Sequence, residues 1–369
     1  MKRSFIREIL EHTNNNTISF AGGLPNAKLF PIEQLKKSAQ VVLDDTSSLQ
    51  YGNSTGYEKL KEKIAKLYSD DGFFTTSSNI LITSGSQQAL DIISRFNSNK
   101  NITIESPSYL GAMNVFNLNN MDINTINLQD DGCDIKQFEQ SISKTKLAYI
   151  IPDFQNPTGI SYSDKKREQI ASIIKDTNSL VIEDSPYSEI YFEKKFESIS
   201  QKIPKNSYHL GSFSKVLAPS LRIGWIRADE KLLEPLIAYK EAMDLHTNGL
   251  SQFILNNYLE DINEFENHKN KIRKIYSKKM QIFCNFLDEV LPQFEYIKPK
   301  GGMFVYGRLE GINTKELVNK CLKDDVLFVP GVEFYINNIK EDEIRFNFTN
   351  STPAQIFKGL NIIKSLIKE

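Results

Sequence analysis

LAYIIPDFQNPTGISYSDKKREQIASIIKDTNSLVIED (147–184) is the stretch that decides the fold. It opens on a continuous apolar run, LAYII (147–151), about one strand long. Asn156-Pro157 and Thr158-Gly159 then force a non-helical turn, because a residue before proline is driven out of the helical region. SDKKREQIASIIKDT (163–177) carries its apolar residues at helical spacing, and LVIED (180–184) is a second short apolar run. Strand, turn, helix and strand in that order make a βαβ unit. Its strands run parallel, and their unbroken apolar character belongs to a sheet covered on both faces.

The same alternation extends in both directions, over about residues 79–228. NILIT (79–83), ITIE (102–105) and INTINL (123–128) lie upstream, with the helical stretch SQQALDIISRF (86–96) after the first; HLGSF (209–213) and RIGWI (222–226) lie downstream. The expected fold is therefore α/β: a large domain whose mostly parallel, seven-stranded sheet lies between helices. A helical span at 230–292, strands near 301–308 and 343–348 and a last helix at 353–367 predict a smaller α+β domain. The expected division is an N-terminal segment joining the small domain (1–40), a large domain (41–270) and a small C-terminal domain (271–369). MKRSFIREILEHTNNN (1–16) has no apolar stretch of signal-peptide length and reads as a short amphipathic helix, with Ile6 and Leu10 on one face.

Composition narrows the partners. The 45 Lys and Arg against 46 Asp and Glu leave a net charge of −1, without the basic excess of a nucleic-acid binder. No apolar run is long enough to span a membrane. Three scattered cysteines (Cys133, Cys284, Cys321) argue against a disulfide framework and fit a reducing cytoplasm. The four histidines (His12, His209, His246, His268) are equally dispersed, so no metal site is expected.

In an open α/β sheet, ligands bind beyond the carboxyl ends of the strands, so the residues leaving each apolar run are the ones to read. Ser84-Gly85-Ser86-Gln87 opens a helix, where unpaired N–H groups and the helix dipole favour an anion; the same residues also cap helices for structural reasons. Ser106-Pro107-Ser108-Tyr109 brings an aromatic ring to the edge, and the turn at 152–159 presents the Asn156 amide. Asp184 leaves a strand that should be buried, where a carboxylate needs a cation or a donor, and Tyr187 follows. Ser212-Phe213-Ser214-Lys215, with Arg222 seven residues on, sets an amine beside hydroxyls and a guanidinium. A lysine held among cations can lose its proton and act as a Schiff-base nucleophile, although most lysines are solvated surface charges. Each feature alone is ambiguous. Together they match a flat ring bearing a phosphate, an aldehyde and a basic nitrogen, which is pyridoxal 5′-phosphate.

The motifs YGNSTGYEKL (51–60), TSGSQQAL (83–90), ESPSY (105–109), PDFQNPTG (152–159), EDSPY (183–187), LGSFSKVLAPSLRIGW (210–225), KGGMF (300–304) and VPG-x-x-FY (329–335) occur in that order. In this the chain resembles the fold-type I pyridoxal-phosphate enzymes, specifically the class I/II aminotransferases. It is most similar to the branch holding 2-aminoadipate and kynurenine aminotransferases and the aminotransferase-like domain of MocR-type regulators. The resemblance runs from SFAGGLP (19–25) to IRFNF (344–348).

The resemblance implies a ping-pong transfer of the amino group of an L-amino acid to a 2-oxo acid. Lys215 would form the Schiff base and shuttle protons, and Asp184 would hold the ring nitrogen protonated. Tyr187 and Asn156 would bond the ring hydroxyl, and Tyr109 would stack on the ring. Ser86, Gln87, Ser212 and Arg222 would hold the phosphate, with Ser214 assisting. Tyr51 would reach the phosphate of a neighbouring subunit, implying a homodimer with shared active sites. Arg345 would grip the substrate carboxylate with help from Asn156 and the Gly23 backbone.

Two departures, Lys61 in place of a frequent arginine and Tyr306 in place of a frequent tryptophan, weaken only the choice of subfamily. One alternative is a lyase on the same scaffold, such as a carbon–sulfur lyase. The other is a ligand-sensing regulator, disfavoured by the charge balance and by the expectation that the winged-helix domain of such regulators is missing ahead of Ser19.

Overall fold

The computed structural model describes residue 14 and residues 16–367, so the helix expected around Ile6 and Leu10 lies outside the described residues. Among the described residues the strands are β1 (Ile18–Ser19), β2 (Ile80–Thr83), β3 (Asn101–Ser106), β4 (Asp122–Gln129), β5 (Gly132–Cys133), β6 (Leu147–Ile150), β7 (Leu180–Asp184), β8 (Ser207–Ser212), β9 (Gly224–Arg227), β10 (Phe294–Tyr296), β11 (Phe304–Leu309), β12 (Val326–Leu327), β13 (Val329–Pro330) and β14 (Glu343–Asn347). The main sheet has the order β2-β9-β8-β7-β6-β3-β4-β5. β4, β3, β6, β7 and β8 run parallel to one another, whereas β9 is antiparallel to both β8 and β2. Seven of these strands are the seven expected runs. The eighth, β5, is a two-residue return paired antiparallel with the end of β4.

The founding βαβ unit shows why the sequence folds this way. Ser163 caps the helix Asp164–Asp176 by accepting from the Lys166 N–H, and Ile170, Ala171 and Ile174 turn inward. They meet Ala148 and Ile150 of β6 and Val181 of β7 in a core that also contains Phe138 and Ile142 of the helix Ile135–Thr145. Each large apolar side chain buried there contributes about 1.5–3 kcal/mol. Arg167 of the same helix is fully buried, which the Asp153 carboxylate at 2.6 Å and the Tyr162 and Pro152 carbonyls compensate. Alternate residues of the strands face the opposite side, where Tyr149 and Ile182 join the larger core.

The helical span expected at 230–292 is broken twice. Helices Glu230–Asp244, Gly249–Tyr258 and Ile262–Val290 are separated where Asn248 and Asp261 cap the next helix, accepting from the Ser251 and Glu264 N–H groups. Beyond them β10-β11-β14-β13 form a separate antiparallel sheet. β1 pairs in parallel with β12, and the Phe20 ring packs edge-on against Phe283 and Phe346. The segment after β1 is thereby held across to the C-terminal strands.

Candidate active site

β2 is antiparallel to β9, and β9 to β8, so β2 points the same way as β8, β7, β6 and β3. All five carboxyl ends meet one edge of the sheet, where a cavity of about 670 Å³ opens. Every residue expected at the site lines it except Tyr51: Gly23, Ser86, Gln87, Tyr109, Asn156, Asp184, Tyr187, Ser212, Ser214, Lys215, Arg222 and Arg345. Tyr51 is 79% exposed, edge-on to the His246 ring.

One end of the cavity is built for an anion. Gly85 takes φ +83° as it turns from β2 into the helix Ser86–Phe96, and a Cβ there would lie 2.6 Å from Arg222 Nη2. Absence of that atom lets the guanidinium close over the helix N-terminus, where the first N–H groups lack helical partners. Arg222 donates from Nη2 to the Ser84 carbonyl at 2.8 Å, which fixes its orientation. Ser212 donates to Ser214 Oγ at 2.9 Å and accepts from the Ser214 N–H at 3.0 Å. Gln87 turns its amide toward the Gly111 carbonyl at 3.0 Å.

The middle of the cavity holds the amine and the carboxylate. Lys215 donates to the Gly23 carbonyl at 2.8 Å. Desolvation, with Arg345 as the next cause, holds the lysine down at about 8. Asp184 is buried and accepts from the Tyr149 hydroxyl at its Oδ2, 2.9 Å away, while Oδ1 is buried without a partner. Burial lifts this carboxyl to about 6, against the opposing effects of the Tyr149 bond and Lys215. Asn156 Nδ2 donates to the Tyr187 hydroxyl at 3.4 Å. Tyr109 caps the helix Leu110–Leu118, and a Cβ at Gly111 would lie 2.4 Å from its ring, so that glycine makes room for it.

Arg345 comes from the other sheet, on β14 between Tyr306 of β11 and Val329 of β13. It is 1% exposed, and its Nη1 donates to Asn156 Oδ1 at 2.7 Å and its Nη2 to the Ala21 carbonyl at 2.5 Å. Nε is buried without a partner. The rings of Phe304 and Phe334 lie 4.3 and 5.0 Å from the guanidinium carbon. Among the described residues no carboxylate pairs with this buried cation, which is the condition of a guanidinium that awaits an acidic ligand.

Three neighbours escaped sequence reading. Tyr149 looked like one more apolar strand residue, and Ala21 acts through its backbone. Glu105, at the end of ITIE, accepts from Gln155 Nε2, the Tyr162 hydroxyl and the Ile151 N–H. Gln155 also accepts from Thr158 and so sets the turn that carries Asn156. A charged residue ending a buried strand was the available signal for Glu105.

The residues fit pyridoxal phosphate. The unpartnered Asp184 Oδ1 is the acceptor that a protonated ring nitrogen requires, Lys215 is the amine for the carbonyl, and the Gly85 cradle suits the phosphate. Fold and site together define a fold-type I pyridoxal-phosphate enzyme. Residues 18–363 match the family described as aminotransferase class I and II, and the chain belongs to that family as a pyridoxal-phosphate-dependent aminotransferase. Aromatic-amino-acid aminotransferase 1 of Thermococcus litoralis is 34% identical over 100% of this chain and 92% of its own length. The alpha-aminoadipate aminotransferase of Thermus thermophilus, solved with N-(5′-phosphopyridoxyl)-L-leucine, is 32% identical with a TM-score of 0.90, covering 100% of this chain and 95% of that one. The kynurenine aminotransferase of Pyrococcus horikoshii is also 32% identical, with a TM-score of 0.93 and the same coverage.

Proposed function

We propose that this aminotransferase works through Lys215, Asp184, Asn156, Tyr187 and Arg345 as one constellation, alternating an L-amino acid and a 2-oxo acid at the same cavity. The observation that carries the assignment is the convergence there of a desolvated amine, a carboxylate with one unpartnered oxygen and an unpaired guanidinium. When bound, pyridoxal phosphate supplies the carbonyl that receives the amino group and the ring that takes up electrons. Lys215 is the nucleophile, and near neutral pH its Nζ can both accept and return a proton. Asp184 keeps its charge beside the ring nitrogen, and Tyr187 and Asn156 hold the ring hydroxyl. Arg345 orients the substrate carboxylate with the N–H groups that Asn156 and Ala21 leave unused. Ser86, Gln87, Ser212, Ser214 and Arg222 hold the phosphate, and Tyr109 covers the ring.

The three cations lining the cavity, Lys215, Arg222 and Arg345, all have tasks in this scheme. Leu24, Leu110 and Ile151 supply apolar lining, and Lys28 is exposed outside it. The preferred substrates are therefore amino acids with aromatic or aliphatic side chains. A homodimer completes the reading. Tyr51, 79% exposed, would reach a second subunit's phosphate site, and Leu49 (64%), two residues before it, is exposed as well; Ile32 (50%) is exposed on the helix Ile32–Leu43, which packs on Gly249–Tyr258. Three unpaired, buried cysteines fit a cytoplasmic setting. The division into 1–40, 41–270 and 271–369 belongs to the same proposal, supported by the pairing of β1 with β12.

The test is a half-reaction screen on the yellow holoenzyme, each amino acid added singly while the visible band is followed. Aromatic and aliphatic amino acids should bleach it, and a 2-oxo acid should restore it. If no protein amino acid, 2-aminoadipate or kynurenine bleaches it, the reading is overturned; ammonia release without a 2-oxo acid would make the protein a lyase instead.

A further inference from the structure

Tyr149 of β6 is fully buried. Register decides what it meets: Tyr149 lies opposite Ile182 of β7, so it shares a sheet face with Ile182 and, two residues on, with Asp184. The Phe116 and Tyr149 rings pack in a T-shaped pair with centroids 5.4 Å apart, and the Tyr149 hydroxyl donates to Asp184 Oδ2 at 2.9 Å. Oδ1 of the same carboxylate has no partner. Burial and the Asp184 charge push the phenol well above its ordinary range, so it remains a neutral donor. Lys215 is the other titratable group acting on Asp184, and the Asp184 charge in turn raises Glu105 and Tyr187.

We propose that Tyr149 is a positioning residue for the cofactor ring: by occupying Oδ2 it turns the Asp184 carboxylate so that Oδ1 alone faces the ring nitrogen. The inference rests on the pyridoxal-phosphate reading of the cavity. A hydrogen bond donated to a carboxylate favours its charged form. The same bond therefore keeps the proton shared between Asp184 and the ring on the nitrogen, where it makes the ring an electron sink. Without Tyr149 the carboxylate competes better for that proton and is free to rotate.

Tyr149→Phe removes the donor and keeps the ring and its contact with Phe116. Apoprotein titrated with pyridoxal phosphate should bind it about tenfold more weakly in this variant, the worth of a hydrogen bond to a charged group. In an Asp184→Ala background the same substitution should change affinity less than about twofold, because no carboxylate remains to be oriented. With cofactor labelled at the ring nitrogen, the 15N resonance of the bound ring should move toward the unprotonated position in Tyr149→Phe.

An unchanged affinity and resonance overturn the proposal, as does an equal loss of affinity in both backgrounds, which would assign Tyr149 to packing alone. If the parent protein binds no pyridoxal phosphate, the cofactor reading falls and this inference with it. Should the phenylalanine variant not fold, Tyr149→Met, which fills the space without a donor, runs the same cycle.

Discussion

Asn156 Oδ1 accepts a 2.7 Å hydrogen bond from Arg345 Nη1, joining residues 189 positions apart and tying the turn after β6 to β14. The other half of the amide, Nδ2, donates to Tyr187. One side chain thus ties the group proposed for the substrate carboxylate to the group proposed for the cofactor ring.

Asn156→Asp tests that link. The new carboxylate would pair with Arg345 and satisfy the charge that a substrate should satisfy. With hydrogen bonds to charged groups worth about 1.5–3 kcal/mol, KM for amino acids should rise roughly 10- to 100-fold. Steady-state kinetics on the folded variant check it, and an unchanged KM would remove Arg345 and Asn156 from substrate binding.

The lysine sets a pH dependence. Lys215 in the folded protein is held down to about 8, first by desolvation and then by Arg345. Its neutral, nucleophilic form is present above that pH, so the rate at which apoprotein captures pyridoxal phosphate should fall about tenfold per pH unit below it. Arg345→Ala removes the second cause and should move the break to higher pH. A stopped-flow profile with the same break in both proteins would contradict the assignment.

How much of this was legible in sequence follows from where each residue sits. Asp184 and Lys215 end short apolar runs, and in a parallel sheet those positions converge on one edge, so one-dimensional reading sufficed. Arg345 lies on another sheet, and only the order of motifs pointed to it. Tyr149 was invisible because its partner is set by the register of two strands, and an aromatic in an apolar strand reads as core. The helical span at 230–292 was drawn as one because its apolar spacing continues, whereas the breaks depend on the capping side chains Asn248 and Asp261.

Glu105 should prove a keystone of the site's stability. Glu105→Leu would leave the Tyr162 hydroxyl and the Ile151 N–H without the acceptor they share, and Gln155 Nε2 with the Pro107 carbonyl alone. At about 1–3 kcal/mol per unsatisfied group, a loss of at least about 2 kcal/mol is expected. Burial lifts this carboxyl to about 7 in the folded protein, above its ordinary value, so the folded state binds more protons than the unfolded chain between about 4.5 and 7. The native glutamate therefore costs stability as pH rises through that window. Denaturation midpoints at pH 5 and 8 should show this dependence diminished in the leucine variant; an identical dependence would place its origin elsewhere.

Gly85→Ala separates the anion cradle from the lysine chemistry. At φ +83° and ψ 169°, a region all but reserved for glycine, an alanine is strained by about 1–3 kcal/mol, and its Cβ would lie 2.6 Å from Arg222 Nη2. The guanidinium must then withdraw from the helix N-terminus, taking one of the charges proposed for the phosphate with it. Lys215, on a different strand exit, keeps Asp184, Arg345 and the Gly23 carbonyl around it and loses only the Arg222 charge, the smallest of the effects on its amine. Pyridoxal phosphate should bind roughly tenfold more weakly, the loss expected for one charge-assisted contact, whereas pyridoxal without its phosphate should bind as it does to the parent protein. Equal weakening of both ligands would mean that the substitution disturbs the whole sheet edge and that Gly85 and Arg222 do not form a phosphate site.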